Sequence, residues 1–205
     1  MNEFDLKAAE WDKQHMHRDR AEAVAAAIVR QVPLDETMTA MEFGAGTGLL
    51  SFMLKDRLKE ITLIDNSEGM VKVLNEKLVS AKADSLKAVK ADIEHEDPQL
   101  GTFDLIYTLM VLHHVGDVET VIKKFHGLLK PGGYLALADL YTEDGSFHGD
   151  GFHGHRGFDP AILAAMLEKI GFSKIKHNKV YVIDKKITEN KNTSFEVFLM
   201  TATRS

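Results

Sequence analysis

The 205-residue sequence has no cysteine and no long apolar run, and these two absences exclude several classes of protein. Without cysteine the chain can form neither disulfide bonds nor thiolate metal sites. The longest apolar stretch, residues 105–112, is far too short to cross a bilayer. The first residues contain no basic segment followed by an apolar one, so we expect no signal peptide. The sequence therefore favours a cytoplasmic protein.

Positive charge is also scarce. The chain has 25 lysines and arginines against 31 aspartates and glutamates, which gives a formal charge of −6. Surfaces that bind nucleic acid or anionic membranes normally carry a basic patch, and the sequence contains no basic run. We therefore expect neither a nucleic acid nor a membrane as a partner. The oligomeric state is left open.

Three closely spaced glycines, Gly44, Gly46 and Gly48, follow a strand-like run at residues 37–41. Glycine lets the backbone turn sharply and approach a ligand closely. A helical pattern begins directly afterwards, so the unpaired N–H groups of its first turn face the same crevice. A strand, a glycine loop and a helix open a nucleotide-binding βαβ unit. The pattern predicts a ligand that contains adenosine.

Acidic residues follow at the ends of the next two strand-like runs. Asp65 ends the run 61–65, 21 positions after Gly44, where a carboxylate can accept hydrogen bonds from a ribose diol. This residue also suits a cap for the helix that starts near Ser67, and the two roles are compatible. Asp92 lies in the third run, 86–93.

The spacing G-x-G-x-G with Glu42 before it resembles the first motif of the class I S-adenosylmethionine-dependent methyltransferases. A dinucleotide-binding loop instead reads G-x-G-x-x-G. The resemblance has specific motifs over residues 37–139 and implies S-adenosylmethionine as the cofactor. An acid at Glu42 can interact with the cofactor's amino group, directly or through water. In the family, an acid at the position of Asp92 binds the adenine amino group, and the neighbouring backbone N–H meets the ring. The predicted cofactor-binding residues are Glu42, Gly44, Ala45, Gly46, Gly48, Asp65, Asn66, Met70, Asp92, Ile93 and Leu109.

Helical and strand-like patterns alternate along the chain with short connections. This alternation predicts an α/β fold with a doubly wound, mostly parallel seven-stranded sheet and helices on both faces. The resemblance implies an antiparallel last strand, which a hairpin over about residues 180–203 would supply. We predict a single methyltransferase domain over residues 1–205. Within it we expect an N-terminal helical cap (1–33), a cofactor-binding core (34–139), and a substrate loop, last helix and terminal hairpin (140–205).

Local signals place several element boundaries. The first helical pattern follows Asp19 and stops before Pro33. Asp117 and Asp159 precede two further helices as caps, and Gly171 ends the second of them. Residues 130–133, Lys-Pro-Gly-Gly, separate a helix from the fifth strand at residues 134–138. The stretch 184–193 is predicted to be an exposed loop.

The segment after the fourth strand bears on the methyl acceptor. Enzymes that methylate nitrogens of DNA bases or glutamine typically have an Asp/Asn-Pro-Pro-aromatic segment here, and this stretch has no proline. The sequence Leu-His-His-Val at residues 112–115 instead resembles small-molecule methyltransferases. His113 and His114 suit two roles: orientation of the loop and capping of the next helix, or contact with the cofactor or acceptor.

A glycine- and histidine-rich segment, residues 142–158, follows the fifth strand and suits a mobile loop over a pocket. His148, His153 and His155 have three readings: metal ligands with Asp139 or Asp150, a general base, or histidines that hydrogen-bond the backbone. We predict no metal site and place the catalytic role on His114, His153 and His155. Aromatic candidates for the acceptor pocket are Trp11, Tyr141, Phe147, Phe152 and Phe158.

Together these features predict transfer of a methyl group from S-adenosylmethionine to a small-molecule acceptor by in-line displacement. Such a reaction requires the protein mainly to align the acceptor and exclude water. The alternatives are a non-catalytic S-adenosylmethionine-binding regulator and, with less support, an NAD-dependent oxidoreductase. The acceptor and its reacting atom are not specified by the sequence.

Overall fold

The computed structural model describes residues 3–189 and 191–205, which form one seven-stranded sheet flanked by helices. The strands are β1 (Thr39–Phe43), β2 (Glu60–Asp65), β3 (Leu86–Lys90), β4 (Phe103–Leu109), β5 (Leu129–Leu140), β6 (Phe172–Thr188) and β7 (Lys191–Arg204). The α-helices are α1 (Glu3–Lys7), α2 (His15–Gln31), α3 (Leu49–Leu54), α4 (Glu68–Ala81), α5 (Val118–Leu128) and α6 (Pro160–Ile170). Three short 3₁₀ turns span Ala8–Lys13, Lys55–Arg57 and Leu112–His114.

The strand order is β3-β2-β1-β4-β5-β7-β6. Strands β1 to β5 pair in parallel, whereas β7 pairs antiparallel with both β5 and β6. Apolar side chains of α5 and α6 pack on one face of the sheet, and those of α2, α3 and α4 pack on the other. The predicted doubly wound sheet with an antiparallel last strand is therefore confirmed.

The order of the strands reverses between β1 and β4, and this reversal creates the crevice of the fold. From β1 the chain first builds outward through β2 to β3, and it then crosses to β4 on the other side of β1. The helices that follow β1 and β4 thus lie on opposite faces of the sheet. In open α/β sheets ligands bind at this point, outside the carboxyl ends of the strands.

Several helix boundaries follow the predicted signals. The side chain of Asp117 accepts a hydrogen bond from the Thr120 amide, and that of Asp159 accepts one from the Ala161 amide. Gly171 ends α6 with a φ of 115°. Helix α2, however, begins at His15 rather than after Asp19. Its first turns have buried polar side chains on the inward face, so the apolar periodicity starts later than the helix does.

Two predictions about the strands were wrong. Pairing of β6 with β7 continues through Asp184↔Ser194 to Thr188↔Lys191, so the stretch 184–193 is a paired ribbon and not a loop, except for Asn190, which lies outside the described residues. Backbone pairing needs no apolar side chains, and polar ribbons therefore escape pattern recognition. Strand β5 also begins at Leu129, and its register against β4 shifts across the Lys-Pro-Gly-Gly stretch. Within the described part of the chain, no helix is both long and apolar enough to cross a membrane.

Candidate cofactor and acceptor site

A cavity of about 710 Å³ opens at the carboxyl ends of β1, β2 and β4. It brings together ten of the eleven residues that the sequence assigned to the cofactor. The lining residues from that set are Glu42, Gly44, Ala45, Gly46, Asp65, Asn66, Met70, Asp92, Ile93 and Leu109. Gly48 is not part of the lining. It precedes α3 with a φ of 80°, and a Cβ there would lie 2.8 Å from Leu74, so this glycine serves packing.

The other two glycines of the loop differ in what surrounds them. Gly44 has a φ of 66°, and a Cβ at this position would lie 2.4 Å from a methyl group of Val111. Gly46 has a φ of 54°, and a Cβ there would have the Met70 sulfur, at 3.9 Å, as its nearest neighbour. The space beside Gly46 is therefore open to a ligand, whereas Gly44 allows close packing of the chain after β4.

Asp65 ties the glycine loop to the end of β2. One carboxylate oxygen accepts a hydrogen bond of 2.7 Å from the Gly46 amide, and the other accepts one of 2.8 Å from the Ser67 amide. Burial raises the pKa of this carboxyl group. Each oxygen keeps a further lone pair for a ligand hydroxyl. The residue therefore combines a turn-forming role with a position on the cavity wall.

Asp92 lies two residues beyond the end of β3, and its side chain organises the turn that follows. One oxygen accepts a hydrogen bond of 3.1 Å from the Glu94 amide, and the other lies 3.1 Å from Nδ1 of His95. Ile93 lines the cavity beside it. The turn thus places an acid and a backbone amide at the predicted adenine end.

Glu42 lies on β1 beneath the loop and is only 3% exposed. Its carboxyl group accepts a hydrogen bond from the Ser51 hydroxyl, which also lies 2.6 Å from the Tyr107 hydroxyl. Burial raises the pKa of Glu42 to about 8, so the group is mostly uncharged at neutral pH. A cationic amino group placed beside it would favour the ionised form.

Arg20 is a site residue that the sequence reasoning missed. It lies on α2, lines the cavity and is only 7% exposed. Its Nε has no hydrogen-bond partner among the described residues. Burial lowers the pKa of this guanidinium group to about 10, although Asp139 raises it. A buried guanidinium without a full set of partners is costly, which favours an anionic ligand. The sequence signal that could have identified Arg20 is its position four residues before the buried Val24, which places both on the same face of a helix.

These residues fit the chemistry of S-adenosylmethionine. The cofactor carries a carboxylate, an ammonium group, a ribose diol and an adenine ring. Arg20 and Glu42 complement the first two groups, and Asp65 and Asp92 complement the last two. The N-terminal segment lies against the same cavity, because Trp11 lines it and Asp12 forms an ion pair of 2.6 Å with Lys77 of α4.

The far end of the cavity contains a buried pair of residues from β5 and the turn after β4. Nδ1 of His113 lies 2.6 Å from Oδ1 of Asp139, and both side chains are at most 1% exposed. Asp139 also accepts a hydrogen bond of 2.7 Å from the Leu140 amide. The structure therefore shows a carboxylate orienting His113, while α5 is capped by Asp117 and not by a histidine. His113 also lines the main cavity, so its other role, contact with the cofactor or acceptor, stays a prediction.

The histidines proposed as catalytic fall into two neighbouring places. His114 lines the main cavity and also a smaller one of about 430 Å³, which His153 and His155 line with it. His148 belongs to the main cavity, where its ring centroid lies 5.0 Å from that of His113. Sequence order alone had grouped His148 with His153 and His155, whereas the fold groups it with His113 and His114.

The aromatic candidates are likewise divided. Trp11, Phe147 and Phe152 line the main cavity. Tyr141 instead packs against the core residue Phe198 at a centroid distance of 5.3 Å, and Phe158 is part of the same packing on that side of the sheet. The prediction that Tyr141 and Phe158 line the acceptor pocket is therefore not matched by the cavity. The sequence does not indicate whether an aromatic side chain at the end of a loop, such as Tyr141 or Phe158, points into a cavity or into the core.

Comparisons with known proteins find methyltransferases. A family model described as a methyltransferase domain matches residues 41–135. An uncharacterized methyltransferase of Schizosaccharomyces pombe is 33% identical over 152 residues, which cover 66% of this chain and 54% of that protein. The ubiquinone biosynthesis O-methyltransferase of Pseudomonas paraeruginosa is 33% identical over 103 residues, which cover 50% of this chain and 44% of that protein.

Among solved structures, the N-methyltransferase NodS from Bradyrhizobium japonicum, in complex with S-adenosyl-l-homocysteine, has the same fold. Its TM-score is 0.73 at 16% identity, with 98% of this chain and 96% of that chain covered. The chain spans about half the length of the two curated relatives described above. The family model, these relatives and the fold support a class I S-adenosylmethionine-dependent methyltransferase, the family that its first motif resembles.

Proposed function

We propose that this protein transfers the methyl group of S-adenosylmethionine to a small-molecule acceptor. The observation that supports this most is the continuity of the cavity, which runs from the glycine loop to His113, His114 and His148. Its volume of about 710 Å³ lies within the range of roughly 300–1,000 Å³ that is common for small-molecule sites.

The cofactor, when bound, supplies an activated methyl group on a sulfonium centre. The protein's part is to bind and orient it. Arg20 pairs with the carboxylate and Glu42 with the ammonium group, while Asp65 and Asp92 hold the ribose and the adenine. These contacts come from α2, β1, the end of β2 and the turn after β3, and they leave the histidine-lined end of the cavity for the acceptor.

At that end, His114 contacts the acceptor, and His153 and His155 shape the adjoining smaller cavity. The amide of His155 donates a hydrogen bond of 2.8 Å to the carbonyl of His113, which holds the loop against the site. The rings of Phe147 and Phe152 exclude water from the reacting atoms. The name of the Pseudomonas paraeruginosa relative, a ubiquinone biosynthesis O-methyltransferase, supports a small acceptor, and the structural neighbour NodS is named an N-methyltransferase. They differ in the methylated atom, so no atom is assigned here.

Binding is tested by calorimetric titration of S-adenosylmethionine into wild type and Asp65→Ala. Hydrogen bonds to a charged group contribute about 1.5–3 kcal/mol each, so the variant should bind at least about 10-fold more weakly. Asp56→Ala, which removes an exposed carboxylate in a surface pair with Lys55, is the matched control and should bind normally. Equal affinity of the Asp65 variant and wild type would remove Asp65 from the site, and tighter binding of NAD would favour an oxidoreductase.

Catalysis is tested by measuring S-adenosylhomocysteine formation with a panel of small acceptors that carry hydroxyl, amine or thiol groups. We expect turnover with at least one class. Micromolar cofactor binding without turnover of any member would contradict the proposal and favour a non-catalytic binder.

A further inference from the structure

Three imidazole side chains meet at the acceptor end of the cavity. One ring nitrogen from each of His113, His114 and His148 lies within 4.8 Å of the others. The ring centroids of His113 and His114 are 4.2 Å apart, and that of His148 lies 5.1 Å from His114. The three residues come from two separate segments, the turn after β4 and the loop after β5, so the fold and not the local sequence brings them together.

A buried carboxylate fixes the orientation of one of these rings. Nδ1 of His113 is hydrogen-bonded to the Asp139 carboxylate, which leaves Nε2 as the ring nitrogen for a further partner. Metal-bound histidines usually donate their other ring N–H to a carboxylate or carbonyl, which fixes the tautomer and raises the basicity of the ligand. The pair Asp139–His113 has this arrangement, with both side chains removed from solvent.

The ring nitrogens of the three histidines are only slightly farther apart than those of a metal-bound cluster. With Zn–N bonds of about 2.0–2.1 Å, tetrahedral ligand nitrogens lie about 3.3 Å apart, so nitrogens 4.8 Å apart must approach by roughly 1.5 Å. The loop around His148 contains Gly145 and Gly149, with φ values of 92° and 83°. A Cβ at Gly149 would meet nothing within 4 Å, so the loop has open space at this position.

An aromatic shell surrounds the cluster. The ring of His148 stacks on Phe152 at a centroid distance of 3.9 Å and an angle of 18°. Phe147 makes an edge contact with His148 at 4.9 Å. An apolar shell of this kind limits solvent access and strengthens the Lewis acidity of a bound ion.

We propose that His113, His114 and His148 bind one divalent transition-metal ion of the zinc type, oriented by Asp139. Three imidazole ligands suit Zn²⁺, Co²⁺ and Ni²⁺, and a site with three protein ligands keeps a fourth position open, as catalytic zinc sites do. The sequence prediction of no metal site weighed His148, His153 and His155 together with Asp139 or Asp150, and the histidine cluster found here has a different membership.

The site also narrows the class of acceptor, and this step rests on the proposed function. The three histidines line the same cavity as the cofactor residues. A hydroxyl or thiol acceptor coordinates the ion and keeps a further lone pair on the same atom for the methyl group, whereas a coordinated amine has none left. Coordination lowers the pKa of such a group and holds its lone pair in a fixed direction.

The test uses the full-length protein, free of any histidine tag, and the metal ion alone. Zn²⁺ is titrated by calorimetry, and Co²⁺ binding is followed through its visible d–d absorption, which identifies tetrahedral coordination. We expect one ion per chain. His148→Ala should weaken binding at least 100-fold, and Asp139→Asn should weaken it about 10- to 100-fold, as is typical when the partner of a ligand is lost.

His153→Ala, in the same loop, and His177→Ala, on the exposed part of β6, are the matched controls and should bind the metal like wild type. Absence of stoichiometric binding, or equal loss in His148→Ala and His153→Ala, would overturn the proposal. Cofactor affinity is measured on the same samples. If wild type binds S-adenosylmethionine but no metal ion, only the metal site is refuted. If wild type does not bind S-adenosylmethionine, the proposed function is refuted.

Discussion

At the scale of single residues, the positive charge of Arg20 in the cavity gives a direct test of cofactor binding. Its buried guanidinium should bind the cofactor's carboxylate, so Arg20→Met should weaken binding of S-adenosylhomocysteine at least about 10-fold. Methylthioadenosine has no amino-acid moiety, and its affinity should be unchanged in the variant. Both are measured by calorimetry.

Arg18→Met is the matched control, because Arg18 lies on the same helix but is exposed. It should leave both affinities unchanged. An equal loss for the two ligands in Arg20→Met would show that Arg20 supports the fold of the site rather than the carboxylate.

Glu42 should make cofactor binding depend on pH. The pKa of the free group is about 8 because it is buried, and an adjacent ammonium group lowers it. Below pH 8 binding must therefore release a proton, so affinity should rise as the pH increases from about 6 to about 8. Above about 8 the α-amino group of the cofactor loses its own proton, and the gain should end.

Calorimetry in buffers with different ionisation enthalpies measures this proton release directly. Glu42→Gln keeps the shape of the side chain and the bond to Ser51 but cannot ionise, so its proton release near neutral pH should be absent. Proton release that persists unchanged in this variant would assign the effect to another group.

At the scale of the elements, replacing glycine by alanine should change the stability of the protein in opposite directions at Gly48 and Gly127. Gly48→Ala should destabilise the protein by about 1–3 kcal/mol, because φ is 80° and the new Cβ would lie 2.8 Å from Leu74. Gly127→Ala, inside α5 with open space around it, should stabilise by about 0.5–1 kcal/mol. Urea unfolding measures both.

The Gly48 variant also distinguishes a packing role of this glycine from a cofactor-binding role. Since Gly48 does not line the cavity, the Gly48 variant should retain much of its cofactor affinity at temperatures where it is folded. A stability equal to wild type, together with lost binding, would contradict the packing role and return Gly48 to the cofactor site.

The elements show which boundaries a sequence can specify. Asp117, Asp159 and Gly171 act through bonds to residues two to four positions away, so their signals are local and were read correctly. The ends of β6 and β7 depend on pairing between residues that the chain pattern does not mark, and these were wrong. The start of α2 was also missed, since its inward face there holds His17 and Arg20.

At the scale of the whole molecule, the cofactor should stabilise the fold because it joins separate elements. Its predicted contacts come from α2, β1, the end of β2 and the turn after β3. A ligand at 100 times its Kd stabilises the native state by about 2.7 kcal/mol. For a chain of this size we expect a Tm increase of about 5–10 °C with S-adenosylmethionine and no increase with NAD.

A thermal-shift series over cofactor concentration measures this effect, and Asp65→Ala should need a proportionally higher concentration for the same increase. A Tm that stays constant up to millimolar cofactor would contradict a site that spans these elements.

The sequence by itself determined the sheet architecture and the cofactor end of the site. Buried parallel strands, a glycine loop and acids at successive strand ends are signals within short segments, and parallel topology places those ends along one edge. Only the tertiary structure decided the other half. Arg20 faces the cavity because α2 packs on the sheet, and Asp139 meets His113 across 26 positions of chain. His148 joins His113 and His114 for the same reason: contacts between distant segments depend on packing directions that no local pattern encodes.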